Sequence, residues 1–196
     1  MNNIRLRIAS AADAGVLSEI YRPYVEGSSV TLEYDPPTAE EFAGRIADIT
    51  GEFPYLICEL DGKAVGYAYA HRYKQRFGYR FCAELSVYID GSYRRRGLGR
   101  RLYGALIELM SLMGYLNLYG VVTDPNQASF ALHRGFGFYE TGREHSAGVK
   151  FGEWHDVVIF EKLIGNHDRL GERDCPLRFD RIPPETVRDI LDKFEN

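Results

Sequence analysis

Arg94-Arg95-Arg96-Gly97-Leu98-Gly99-Arg100 is the stretch whose reading decides the fold. Upstream, Ala83-Glu84-Leu85-Ser86-Val87-Tyr88-Ile89 is a half-apolar run with β-branched and aromatic residues, the signature of a strand. Downstream, Leu98, Leu102, Leu106, Leu109 and Met113 recur at steps of three and four, which is one face of an amphipathic helix stopped by Gly114. A strand therefore runs into a basic, glycine-bearing turn that opens a helix. Unpaired N–H groups at a helix start, with the positive end of its dipole, make an anion site. Gly97 and Gly99 put no side chain between a phosphate and that backbone, and four arginines add charge. The stretch reads as a pyrophosphate cradle, and its composition also suits an ordinary solvated loop. A dinucleotide fold and a P-loop fit poorly, since G-x-G-x-x-G is incomplete and no Gly-Lys-Ser/Thr follows.

Working outward, 196 residues suffice for one domain with a real core and an appendage. A net charge of -4 gives no general attraction to nucleic acid, so the arginine cluster is a local feature. No apolar run reaches bilayer length and Met1-Asn2-Asn3-Ile4-Arg5 lacks a signal-peptide core, so no membrane partner is expected. Cys58, Cys82 and Cys175 are odd in number and widely spaced, as reduced thiols of a cytoplasmic protein are. His145, His155 and His167 show no ligand spacing, and no metal is expected.

Ile4, Leu6 and Ile8 alternate with Arg5 and Arg7 as a first strand. Ser10–Asp13 and Thr38–Glu41 are capping boxes opening two helices, with a short extended piece over Val30 to Tyr34 between them. Tyr55 to Leu60, the turn Asp61-Gly62, and Ala64 to Tyr69 form the clearest hairpin. Strands are predicted over Arg80 to Asp90, Leu116 to Val122, Phe136 to Thr141 and Trp154 to Leu163, with a short helix over Asn126 to Arg134. The order implies one α/β (α+β) domain, residues 1–164, with a mixed, mostly antiparallel central sheet flanked by helices. Residues 165–196 are a C-terminal extension. There Val187, Ile190, Leu191 and Phe194 stripe a short helix that must dock on its own domain or a partner subunit, or else form a disordered tail.

Arg94-x-x-Gly97-x-Gly99 after a strand resembles the acetyl-CoA loop of the GNAT N-acetyltransferase superfamily, whose pattern is Gln/Arg-x-x-Gly-x-Gly/Ala. Asn126-Gln127-Ala128-Ser129, near the start of a helix that ends before Gly135-Phe136, resembles its second signature. Four further pieces resemble the phosphinothricin and methionine sulfone/sulfoximine acetyltransferases within it. These are Tyr21-x-x-Tyr24-Val25-Glu26 with Ser29-Val30, Ala68-Tyr69-Ala70 leading to Lys74-x-Arg76-x-x-Tyr79, Glu84-x-Ser86-Val87-Tyr88-Ile89, and Ala147 to Lys150 through Gly152-x-Trp154-His155-Asp156-Val157.

The resemblance implies acetyl transfer from acetyl-CoA, a co-substrate, to the α-amino group of a small amino acid or analogue. Arg95, Arg96, Gly97, Leu98, Gly99 and Arg100 would hold the diphosphate. Val87, Tyr88 and Ile89 would pair with the pantetheine arm where their strand splays from Leu116 to Val122, although a plain central strand fits the segment equally. Asn126 would bond the pantetheine amide, with Ser129 beside it. Glu84 would be the base, its proton affinity raised by partial burial; a glutamate on a wet strand face is the plain alternative. His133 stands where many GNAT members carry a tyrosine as the acid facing the thiolate and agrees with the His that many phosphinothricin-type members place there, so it would be the second catalytic residue. Lys74 and Arg76 would clamp the acceptor carboxylate, with Tyr79 and Val30-Thr31-Leu32 lining its pocket. A homodimer would complete that pocket, with Trp154 and the tail helix at the interface. Leu32 and Phe151 depart from the Phe and His of the herbicide-detoxifying members, and the extension has no counterpart. Two rivals stay open: an acetyltransferase for a peptide N-terminus or polyamine, and a non-catalytic acyl-CoA-binding regulatory module.

Overall fold

The computed structural model describes residues 3–169 and 174–195, so the polar stretch expected over 166–174 lies partly outside the described residues. Seven strands form one sheet in the order β1-β2-β3-β4-β5-β7-β6. They are β1 (Ile4–Ile8), β2 (Tyr55–Leu60), β3 (Lys63–Arg72), β4 (Cys82–Ile89), β5 (Asn117–Asp124), β6 (Tyr139–Lys150) and β7 (Glu153–Leu163). Every pairing is antiparallel except β4 with β5. The β2–β3 hairpin turns at Asp61 and Gly62, both with positive φ, as a two-residue loop between twisted strands demands.

Strand alternation sorts side chains into two cores. On one face Leu56, Ala68, Ala70 and Leu85 meet α3 (Leu98–Met113), all five of whose predicted stripe residues are buried. On the other, Tyr55, Ile57 and Tyr67 receive Leu17, Ile20 and Tyr21 of α1 (Ala14–Gly27) and Phe42 and Ile46 of α2 (Ala39–Ile49). Thr38 and Glu41 form the full capping box of α2, the Thr38 hydroxyl accepting the Glu41 N–H and the Glu41 carboxylate the Thr38 N–H. A fourth helix, α4 (Gln127–Gly135), follows β5.

β6 is far longer than the predicted Phe136 to Thr141. It is an outer strand with mostly exposed residues, and register shifts at Glu140/Gly142 and Glu144/Gly148 break the alternation that would reveal it. The Val30 to Tyr34 piece is a loop. The Tyr21 hydroxyl bonds Thr31, and Lys150 Nζ donates to the Thr31 carbonyl at 2.8 Å.

The extension docks on its own domain. Val187, Ile190 and Leu191 of α5 (Pro184–Asp192) are buried in the α3-side core. The Glu195 carboxylate accepts the Leu6 N–H at 2.7 Å and Arg188 Nη1 donates to the Leu6 carbonyl at 2.9 Å. These side chains cap main-chain groups on the free side of β1, an edge that would otherwise invite another strand. Leu191→Ala should cost about 2–4 kcal/mol and lower Tm, as burial in a shared core requires; an unchanged thermal melt would mean that the extension is not part of the cooperative unit.

Candidate active site

β4 and β5 pair only where Cys82, Ala83 and Glu84 face Asn117, Leu118 and Tyr119; beyond Glu84 they part. The Phe81 carbonyl accepts from Asn117, and the two-residue period sends the main-chain groups of Leu85, Val87 and Ile89 to that same side. Those of Ile89 are taken by Tyr24, whose hydroxyl donates to its carbonyl at 2.6 Å and accepts its N–H at 3.1 Å. Leu85 and Val87 therefore present N–H and C=O groups to the gap, ready to pair with an extended ligand.

The gap opens into a groove of about 890 Å³. Of the residues predicted to hold a cofactor, Val87, Tyr88, Ile89, Arg95, Gly97, Leu98, Gly99, Arg100, Asn126 and Ser129 line it. Arg96 does not, its guanidinium lying 5.2 Å over the Tyr93 ring. Arg95 and Gly97 take left-handed backbone, φ 60° and 78°, which folds the turn into a cup of N–H groups. The first helical bond of α3 runs from Arg101 N to the Gly97 carbonyl, so Leu98, Gly99 and Arg100 keep N–H groups without a helical partner. Arg94 lies 4.9 Å over Tyr24 and Arg100 5.0 Å over Phe136, which holds both cations in place before any anion arrives.

On the far wall, Asn126 caps α4. Its Oδ1 accepts the Ser129 N–H at 3.1 Å, which leaves its amide nitrogen free to donate. Glu84 lies directly across the β3–β4 ladder from His71, with 3.8 Å between Oε1 and Nε2. Burial raises the proton affinity of the Glu84 carboxyl, and the charge of His71 draws it partly back. Ser86, the next residue on the same strand face, lines the groove; Glu84 itself does not, and lies where β4 and β5 pair.

A family model described as an acetyltransferase (GNAT) domain matches residues 6–159. The chain belongs to the GNAT acetyltransferase family. Among its relatives is the phosphinothricin N-acetyltransferase of Streptomyces viridochromogenes, 33% identical over 81% of this chain and 87% of that one. Another is the L-methionine sulfoximine/L-methionine sulfone acetyltransferase of Salmonella typhimurium, 29% identical over 83% of this chain and 95% of that one. A GNAT phosphinothricin acetyltransferase from Sinorhizobium meliloti, solved in complex with acetyl-CoA, superposes with TM-score 0.80 at 34% identity, covering 83% of this chain and 89% of its own.

Two predicted parts of this GNAT site take a different form. His133, expected as an acid, is a buried neutral ring on the groove wall. Its Nδ1 faces the Ser129 carbonyl at 2.8 Å; a carbonyl only accepts, so Nδ1 carries the proton and Nε2 accepts from the Tyr103 hydroxyl, also at 2.8 Å. Burial lowers the ring's proton affinity, and the ring fills the space above Gly120, where an added Cβ would lie 2.0 Å from Nε2. In that state His133 has no proton to spare for a leaving group.

The four residues assigned to the acceptor do not line a common cavity. Leu32 packs on Gly148, where an added Cβ would meet it at 2.3 Å. Lys74, Arg76 and Tyr79 border a separate cavity of about 220 Å³, closed by Cys175-Pro176-Leu177-Arg178 of the extension. Lys74 is still linked to Glu84 by stacked rings. Its Nζ lies 5.0 Å over Tyr73, Tyr73 stacks on Tyr119 at 3.8 Å, and Tyr119 is the ladder neighbour of Glu84.

Tyr24 as a cap on Ile89, Tyr103 beside His133, and His71 opposite Glu84 are placements at the site that the sequence reading misses. Tyr103 had a signal, since it lies one helical turn beyond Gly99 and so shares the cradle's side of α3. His71 had none, because the β3–β4 register is set across an irregular loop. Among the described residues no cluster of His, Cys, Asp or Glu could hold a metal, and no helix is long and apolar enough to cross a membrane.

Proposed function

We propose that the chain transfers the acetyl group of acetyl-CoA to the α-amino group of a small amino acid or analogue of the phosphinothricin and methionine sulfone type. One observation carries this: an anion cup at the start of α3 continues directly into an unpaired strand edge at Leu85 and Val87. That is the shape a diphosphate with an amide-bearing arm requires, and the names of the relatives supply the acceptor class.

The diphosphate rests on the N–H groups of Leu98, Gly99 and Arg100, with Arg95 and Arg100 for charge balance. Pantetheine pairs with Leu85 and Val87, and Asn126 donates to its amide. Glu84, directly or through a water, takes a proton from the acceptor ammonium. The freed amine attacks the thioester carbon, and the Val87 N–H bonds the oxyanion. On collapse the C–S bond breaks and the nitrogen gives up its second proton, which passes through water to the departing thiolate; a thiol with an ordinary pKa of about 8.5 needs no strong acid. From their neighbouring cavity Lys74 and Arg76 would reach the acceptor carboxylate along the Tyr73–Tyr119 stack that leads to Glu84. The exposed Phe151 and Trp154 at the β6–β7 turn suit a second copy of the chain, giving a homodimer. Cys58, Cys82 and Cys175 are free thiols, which fits a cytoplasmic setting.

The test is release of free CoA thiol with methionine sulfone, methionine sulfoximine and phosphinothricin, set against short peptides and polyamines. Turnover confined to the amino-acid analogues is expected. Turnover confined to peptides or polyamines, or CoA binding with no turnover on any amine, would overturn the reading. Lys74→Ala and Arg76→Ala should each raise the acceptor KM roughly ten- to hundredfold, the worth of one charge-assisted hydrogen bond, with the acetyl-CoA KM unchanged. An unchanged acceptor KM would move the clamp elsewhere.

A further inference from the structure

A base that removes a proton in every turnover must also lose it, and Glu84 is poorly placed to lose it to solvent. Its side chain is 21% exposed, with Tyr119 as its ladder partner on β5. His71 stands directly opposite on β3, more open at 34%, with Nε2 3.8 Å from the Glu84 carboxylate. The tautomer of His71 is fixed by its own strand. Nδ1 lies 3.0 Å from the Arg72 carbonyl, which can only accept, so Nδ1 bears the hydrogen and Nε2 is the free basic nitrogen. That basic nitrogen faces Glu84. A separation of 3.8 Å is spanned by one water or by a small side-chain rotation.

We infer that His71 is the proton relay of Glu84, carrying the acceptor's proton from the carboxylate to solvent. The inference rests on Glu84 being the base. In the first step the acceptor N–H bond breaks and a Glu84 O–H bond forms. In the second that O–H bond breaks and an Nε2–H bond forms, giving an imidazolium beside a carboxylate. In the third Nε2–H passes its proton to bulk water, and the pair returns to its starting state with no other reactant consumed.

The surroundings leave this task to the pair. Tyr69 of β3, Tyr73 after it, Tyr119 of β5 and Tyr103 of α3 are phenols that burial keeps protonated. Cys82, two residues before Glu84 on β4, is likewise held as a thiol by burial. Glu144 of β6 and Glu161 of β7 act on Tyr73, and Arg45 of α2, paired with Glu33, acts on Tyr69. Lys74 acts on Cys82. Among these described groups, His71 alone turns a basic ring nitrogen to the Glu84 carboxylate, at 3.8 Å. His71 is thus a positioning and relay residue that acts through Glu84.

The experiment compares His71→Gln and His71→Asn with the parent enzyme, each variant first checked by thermal melting. Without the relay the proton leaves Glu84 more slowly, so kcat falls in both variants. In weakly buffered solution the fall should be roughly three- to tenfold. The second readout is buffer dependence. A protein lacking its relay must hand the proton to small acceptors, so kcat of both variants should rise with imidazole or phosphate concentration while the parent stays flat. The acetyl-CoA KM should not change. A parent-like kcat that stays independent of buffer in both variants overturns the relay. If instead Glu84→Gln retains full activity, it is the base assignment that has failed.

Discussion

Glu84→Gln is expected to lower kcat by about two to four orders of magnitude, the usual worth of a positioned base, with little change in the acetyl-CoA KM. The replacement keeps size and shape and removes only the ability to take a proton. Burial raises the proton affinity of this carboxyl, so at low pH it is protonated and idle; the rate climbs as pH rises through its shifted value and then levels. The variant should lose that limb and show only a slow rise as free amine accumulates. Folding should not suffer, because the substitution removes a charge from a largely buried site. Steady-state kinetics across pH, paired with thermal melts, decide the matter. A limb of unchanged position and amplitude would remove Glu84 from the role.

Gly99→Asp should do comparable damage to the other half of the reaction. An added Cβ meets nothing nearer than Ile89 Cγ1 at 3.7 Å, and Gly99 is an ordinary helical residue, so the chain accommodates the side chain. A carboxylate in the first turn even favours the α3 dipole. It also sits where the diphosphate must rest. Affinity for acetyl-CoA should fall by about 2–3 kcal/mol, roughly a hundredfold, while Tm stays level or rises. Calorimetric titration with CoA separates the two effects, and undiminished binding would show that the diphosphate lies elsewhere. Loss of affinity with gain of stability is the outcome that a damaged fold cannot imitate.

The parts legible in the sequence are those governed by neighbours along the chain. The α3 stripe, the Asp61-Gly62 hairpin and the Thr38–Glu41 capping box each depend on spacing within one element, and each is found as read. The glycine-arginine turn belongs with them, because its left-handed residues and free N–H groups are local geometry. What escapes depends on distant segments meeting. β6 hides because bulges break its alternation and one side faces solvent. His71 becomes the partner of Glu84 only through a ladder register that no residue of the intervening loop announces. His133 occupies the expected place but not the expected state, since Phe160, Gly120 and Tyr103, far apart in sequence, make its surroundings dry. Lys74 and Arg76 meet residues of the extension around their cavity, which no motif of the catalytic domain encodes.

The pairing of Arg188 and Glu195 with Leu6 also has a consequence in time. The partners lie 182 and 189 residues apart, so a ribosome adding about 5–20 residues per second needs roughly ten to forty seconds to deliver them after Leu6. Throughout that interval the outer edge of the first strand lies uncovered on a growing chain. Crowded polysomes, or messages cut short upstream of Arg188, would leave neighbouring nascent chains free to zip together there, and the lost protein would collect in inclusion bodies.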